Sequence, residues 1–348
     1  MRAWAGLAAA SQRAYTGDWA AFTAWLDTHR LAVPIAPQNA AWYARDCIAA
    51  QTADGSPRWA MTTVNRRLAV VGFAHEALGY PSPTASPQVR AEIRAGRRAR
   101  QGAGHASAPR RVDPLTLEDL VTITSSISTT TWPAIIPATR DLALLWTGFI
   151  GALRPSELAG ITLADLDLRA GRGRLTLPTS KTDRDGHGAV VALPRGSTPA
   201  RCPLCHLWRW LDLVATVEYS DGISQLKLLE DLAALAYRPT NEHVCDRRHA
   251  SDSLAPLLRQ IRRTGTITGE GLSTQGVRRI IKQRAAVVGH RNVSGQSLRA
   301  GFVTTAEQRG ISTRHIMRQT RHASPAMIEV YARHHAPEAA NAATQLGL

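Results

Sequence analysis

GALRPSELAGITLADLDLRAGRGRLTLPTSK, residues 151–181, is where the chain changes its period. Before it, apolar residues recur at three- and four-residue spacing. Within it, LDLRAGRGRLTLPTSK and the following AVVALP alternate or run with β-branched and apolar residues, which predicts a small hairpin sheet around TDRDGHG. A residue before proline is pushed out of the helical region, so Arg154 is expected on an extended turn at the mouth of a helix opened by Pro155. Glu157 lies one turn in, within reach of that guanidinium. Taken alone, such a pair reads as a surface ion pair. Lys181 falls near the hairpin tip, where a lysine is ordinarily solvent-exposed.

Outward from this stretch the pattern is helical. Tyr15, Trp19, Phe22 and Leu26 share one face and Ser11 offers an N-cap, so a helix is predicted over 12–29. Further helices are predicted over 38–52, 59–79 and 87–99, making a small all-helical unit. Arg66 and Arg67, and the cluster Arg94, Arg97, Arg98 and Arg100, are expected on its exposed side. QGAGHASAPRRVD, residues 101–113, has no periodicity and reads as a linker. Beyond it DPLTLEDL starts a helix, and a strongly apolar one over 138–150 ends at Gly151. After the hairpin, helices are expected to resume near 203 and continue to the C-terminus. The fold class is therefore mainly α with a small antiparallel β-sheet, in two domains, 1–100 and 114–348.

Composition narrows the partner. The 348 residues hold 42 Lys+Arg against 27 Asp+Glu, a net charge of +15 spread along the chain. Such a surface attracts polyanions, nucleic acid first and anionic membrane second. No apolar run reaches the ~18 residues of a membrane span; the best, Leu142–Leu153, is broken by two glycines. MRAWAGLAAAS superficially resembles a signal peptide, yet its apolar pattern continues into a helix, so a cytoplasmic protein without membrane contact is expected. Four cysteines in a chain of this length do not make a disulfide framework. Cys202 and Cys205 in RCPLCHLWRW, with Cys245 and His249 in EHVCDRRH, have ligand-like local spacing for a zinc clip bracing an insertion. A helix-borne cysteine is more often a small buried hydrophobe, so no metal is assigned.

Two further stretches carry chemistry. In GQSLRAGF, residues 295–302, Arg299 shares a helical stripe with Phe302, Val303 and Ala306. A guanidinium at a helix start, beside unpaired backbone N–H groups, makes an anion site that suits phosphate. In TRHASPAMIEVYARHH, residues 320–335, Ser324 is placed as N-cap and Pro325 at the first helical position, with Met327, Ile328 and Tyr331 on one face. By itself Tyr331 reads as a core tyrosine.

Taken in order, Arg154 with Glu157, then Lys181, then Arg299 three residues after Gln296, then His322 nine before Tyr331, the set resembles the tyrosine recombinase (phage integrase) family, in particular its Cre-like members. The resemblance implies an N-terminal helical (SAM-like) core-binding domain and an α-rich catalytic domain. LSTQGVRRIIKQRA, residues 272–285, is similar to the family's major-groove helix, with Thr274 and Gln275 at its DNA-facing start and Arg278, Arg279 and Lys282 following. By the same resemblance Tyr331 attacks phosphorus to form a 3′-phosphotyrosine, Arg154 and Arg299 clamp the phosphate, Lys181 protonates the leaving oxygen, His322 donates a hydrogen bond and Glu157 orients the clamp. No cofactor is implied, because the phosphotyrosine conserves the bond energy. The partner would be double-stranded DNA with inverted-repeat sites, bound by a homotetramer that is a monomer or weak oligomer when free and passes through a Holliday junction. Residues 336–348 would dock into a neighbouring subunit.

Gln296 departs from the family's usual histidine, which titrates near neutral pH and assists proton transfer. The chemistry should be slowed rather than lost, unless His187 or His290 substitutes. Two other readings stay open: a recombinase-fold DNA-binding or architectural protein, and a type IB topoisomerase-like nicking-closing enzyme.

Overall fold

A computed structural model describes residues 4, 9–104, 112–128, 131, 133–177, 188–218, 227, 230, 231, 234 and 241–328. Lys181, His187, Tyr331 and residues 336–348 lie outside these. The chain divides into two units, Met1–Arg111 and Val112–Leu348.

The N-terminal unit is built from α1 (Ala9–Thr28), α2 (Pro37–Ala49), α3 (Met61–Ala77) and α4 (Pro87–Gly102). Pro37 and Pro87 open their helices, and the Ser86 hydroxyl accepts from Val89 N at the start of α4. Phe22, Leu26, Tyr43, Val64, Leu68, Val71 and Val89 form the core. Helix α3 begins two residues later than expected, and the excluded Trp59 serves as a packing platform. Arg100, expected with the exposed basic cluster, is buried. Its guanidinium donates to the carbonyls of Trp59 (2.6 Å) and Ile48 (2.8 Å), the latter in the last turn of α2, where carbonyls lack helical partners.

The C-terminal unit opens with α5 (Leu117–Ser125), where Thr116 and Asp119 cap each other's backbone N–H groups. Then come α6 (Ile135–Ile150), α7 (Pro155–Gly160) and an antiparallel sheet of β1 (Leu166–Arg169), β2 (Arg172–Leu177) and β3 (Ala189–Pro194), in that order. The register pairs Leu166 with Leu175 and Leu175 with Val191, so one face is apolar and buried. Helix α8 (Pro203–Glu218) packs on α6, and Trp146 and Trp210 fill the space at the centre of this core. Two further strands, β4 (Arg259–Ile261) and β5 (Ile267–Gly271), form an antiparallel hairpin. This corrects the expectation of unbroken helices after 203. Gly265 at φ +90 supplies the left-handed turn residue and Ile261 pairs with Ile267 across it, a signal too short to stand out from a helical background. Helices α9 (Thr274–Val287), α10 (Ser297–Gln308) and α11 (Thr313–Thr320) follow, and a helical turn begins at Pro325. Among the described residues no helix is long and apolar enough to cross a membrane.

Candidate active site

The site is built around the C-terminus of α6. Gly151 N bonds back to the Thr147 carbonyl, Ala152 takes φ +45, and Leu153 N reaches the Gly148 carbonyl. A non-glycine residue at positive φ is strained, and such strain collects at functional sites. The reversal leaves the Gly151 and Ala152 carbonyls, at the negative end of α6, available to cations. Arg154 then adopts the extended conformation expected before proline, φ −75 and ψ 154. Its backbone N donates to Glu157 Oε2 at 2.8 Å and its Nη1 to Oε1 at 2.7 Å, so one carboxylate fixes both ends of the residue. Glu157 is 6% exposed in its side chain, which sets this pair apart from a surface ion pair.

Arg299 reaches the same turn from α10. It is 2% exposed and its Nη1 donates to the Ala152 carbonyl at 2.8 Å. Two glycines allow this approach. A Cβ on Gly301 would lie 1.5 Å from the Leu115 carbonyl oxygen, and one on Gly295 would lie 2.4 Å from Pro155 Cγ. Both close approaches are open to glycine alone.

A third guanidinium joins them. Helix α11 ends on Arg321 in the left-handed conformation, φ +59, a position that usually falls to glycine. From there Arg321 donates to Glu157 Oε2 (2.8 Å), the Gly151 carbonyl (3.1 Å) and the Gln319 carbonyl (3.0 Å). Burial alone would push the Glu157 carboxyl up. The Arg154 amide, the Arg321 charge and the Arg154 side chain together hold it below the ordinary carboxylate value. Three guanidiniums against one carboxylate leave the cluster two positive charges in excess.

His322 completes the group. Burial, then the charges of Arg299, Arg154 and Arg321, push its imidazolium down to about 4, so the ring is neutral at pH 7. Thr320 Oγ1 gives its one hydrogen to the Ile316 carbonyl (2.8 Å). Its 2.7 Å contact with His322 Nδ1 therefore takes an Nδ1–H donor and assigns the Nε2 lone pair as an acceptor. Donation from Nε2 to a phosphate requires a second proton, which a bound anion favours by offsetting the three arginines.

Arg154, Glu157, Arg299 and His322 are thus brought together, while Lys181 and Tyr331 are outside the described residues. Gln296 stands at the N-cap of α10 with an exposed side chain and its backbone N on Ser294 Oγ (3.0 Å). His290 is paired with Asp119 at 3.2 Å instead of standing with the arginines. Arg321 escaped the sequence reading because its role comes from a left-handed backbone and not from any spacing.

Helix α9 lies beside the site. Its buried face is Val277, Ile280, Ile281 and Ala285; Gln275, Arg278, Arg279 and Lys282 form an exposed stripe, and Thr274 is half-buried next to the Ser273 cap. The Arg278 stem abuts Gly295, one residue before Gln296. Arg284, on the flank, donates to Asp141 Oδ2 (2.8 Å), whose other oxygen accepts from Arg140 (2.8 Å), tying α9 to α6 through a buried carboxylate. In the N-terminal unit Arg66 and Arg67 both approach Asp18, at 2.6 and 3.5 Å. Arg66 keeps an exposed face. Arg67 lies over the Trp59 ring at 4.0 Å with 12% of its side chain exposed, a packing position instead of the exposed one expected.

The spacing-based zinc set is only partly assembled. Cys202, Cys205 and Cys245 converge, but with His243; His249 exchanges backbone hydrogen bonds with Leu168 and turns its ring edge-on to Trp208.

No family model matches the chain. An integrase/recombinase XerD homolog from Selenomonas ruminantium is 28% identical over 325 residues, 92% of this chain and 80% of that one. Among solved structures, the Tn1549 transposon integrase in complex with transposon right end DNA superposes with a TM-score of 0.52 at 13% identity, over 100% of this chain and 99% of that one. A lambda integrase dimer bound to a COC′ core site gives 0.50 at 15% identity, over 94% and 89%. These two show a shared two-domain, mainly helical fold. Over nearly its whole length the chain is thus similar in sequence to an integrase/recombinase, and it shares its fold with two solved integrases.

Proposed function

We propose that this protein is a site-specific DNA recombinase acting in a prokaryotic cytoplasm on double-stranded DNA with inverted-repeat sites. The Tyr331 oxygen attacks the scissile phosphorus. A 3′-phosphotyrosine forms, and the 5′-oxygen leaves as a hydroxyl with a proton from Lys181. Arg154 and Arg299 hold the two non-bridging oxygens as charge builds on them, and Glu157 with Arg321 keeps the clamp aimed. The 5′-hydroxyl of a second strand then attacks the phosphotyrosine, releasing the phenol and rejoining DNA. Repeated on the other strand pair within a homotetramer, this makes and resolves a Holliday junction.

The observation that supports this reading most is the excess of positive charge around His322, where Arg154, Arg299 and Arg321 act on one imidazole with a single carboxylate between them. A phosphodiester is the anion that such a cluster fits, and its transition state carries the second negative charge. Gln296 cannot exchange a proton usefully, whereas neutral His322 Nε2 can accept one. The neutral ring supports His322 as the group that takes the tyrosine proton.

The test begins by selecting bound DNA from a random library. Two copies of the selected site placed in one plasmid should yield recombinant product with the wild-type protein and none with Tyr331→Phe. Relaxation without exchange would indicate a nicking-closing enzyme, and tight binding with neither would indicate an architectural protein.

A further inference from the structure

Away from the phosphate site, Cys202, Cys205, His243 and Cys245 bring one ligand atom each to within 4.8 Å of one another. The three cysteines are at most 1% exposed and none is in a disulfide. We propose that these four residues bind one structural zinc ion. The edges of the cluster carry the inference: Cys202 Sγ to Cys245 Sγ is 4.0 Å, Cys205 Sγ to His243 Nδ1 is 3.2 Å, and Cys245 Sγ to His243 Nδ1 is 3.7 Å. A tetrahedron with Zn–S of about 2.3 Å and Zn–N of about 2.0 Å has S–S edges of about 3.8 Å and S–N edges of about 3.5 Å. The two S–N edges, 3.2 and 3.7 Å, bracket the ideal value, and the S–S edge of 4.0 Å is slightly longer than its own. A Cys202–Cys245 disulfide, by contrast, needs the sulfurs at about 2.05 Å.

The chemistry of the donors selects the metal. Three thiolates and an imidazole suit Zn²⁺ over oxygen-seeking cations, and four protein ligands leave no open position, the mark of a structural site. The surroundings fit thiolate ligands: backbone amides of Gly196 and Cys205 face Cys202 Sγ, and that of Val244 faces Cys205 Sγ. Gly196 itself can approach because a Cβ there would lie 2.3 Å from the Arg201 carbonyl oxygen.

The ion would join two pieces of chain 38 or more residues apart. Cys202 and Cys205 flank the start of α8. His243 and Cys245 precede the segment that pairs with the sheet edge, where Leu168 and His249 exchange hydrogen bonds of 2.9 Å and Gly171 N reaches the Cys245 carbonyl. Closing such a loop stabilises the folded chain and ties the start of α8 to the edge of the β1–β3 sheet.

The test is elemental analysis of the full-length protein, purified under reducing conditions without a metal-affinity step, then stripped and re-supplied with Zn²⁺. About one zinc per chain is expected before and after. Cys205→Ser and His243→Ala should lose it, His249→Ala should keep it, and His243→Cys should restore it by supplying a fourth thiolate. Co²⁺ in place of zinc should give the intense visible bands of a tetrahedral thiolate site, which keeps the question answerable if a variant folds poorly. Absence of zinc uptake by reduced wild-type protein, or uptake lost in His249→Ala and kept in His243→Ala, would overturn the proposal.

Discussion

His322 and Arg321 hold adjacent positions and opposite lessons. The histidine was legible from its place nine residues before Tyr331, but its protonation was not, because that depends on three guanidiniums arriving from three elements. Its folded value of about 4 lies below the ordinary 6.5, so folding expels a proton between these pH values and stability falls as pH drops through that window. His322→Asn, which retains a donor for Thr320, should flatten the dependence of Tm on pH between about 4 and 6.5, as thermal unfolding at stepped pH would reveal. An unchanged profile would show that His322 does not sense that charge cluster. At Gln296 the expectation runs toward gain. Gln296→His should raise single-turnover cleavage by about 100-fold if general acid–base help is what the position lacks, and an equal or lower rate would show that His322 suffices. Arg154 and Glu157 were readable because proline and an i+3 spacing dictate their geometry locally. Arg321 was not, since an arginine in a left-handed cap looks in sequence like any other surface arginine.

Elements place these residues, and the places where they touch most closely are the most fragile. Helix α10 lies against Leu115 with no room for a methyl group at Gly301. Gly301→Ala should therefore destabilise the protein by about 3 kcal/mol or more and withdraw Arg299 from Ala152, with loss of cleavage beyond what unfolding explains. Denaturant titration beside an activity assay separates the two effects. Helix α9 depends on Asp141, a buried carboxylate between Arg140 and Arg284. Asp141→Ala leaves two guanidiniums without their carboxylate and should cost about 3–5 kcal/mol, measured by the same titration. Helix α9 was reached through its resemblance to the family's major-groove helix, whereas the alternation in β1–β3 was plain in the sequence. The β4–β5 hairpin was not: strands of three and five residues carry too few alternations to compete with the helical pattern on either side.

At the scale of the whole molecule, the proposed function makes non-specific DNA affinity an ionic-strength effect of the +15 net charge and expects the exposed stripe of α9 to add specificity. Removing Arg279 or Lys282 should lower affinity evenly across sequences and reduce the slope of log K against log salt by about one for each phosphate no longer neutralised. Replacing Gln275 should instead relax preference at one base pair by about 1–3 kcal/mol, and binding curves at several salt concentrations on selected and scrambled DNA distinguish these behaviours. The two-unit organisation was legible from the aperiodic run after residue 100, whereas the pairing of His243 with three cysteines required a fold to bring the chain back on itself. The most direct measurement uses a nicked form of the selected site, from which the short cleaved strand diffuses away and leaves protein attached to DNA. The wild type should accumulate a covalent complex mapped by mass spectrometry to Tyr331, with Arg154→Ala or Arg299→Ala slowing it by about 100-fold or more. A complex that persists in Tyr331→Phe, or tight binding by the wild type with no attachment at all, would contradict the assignment of Tyr331 as the nucleophile of a strand-transfer enzyme.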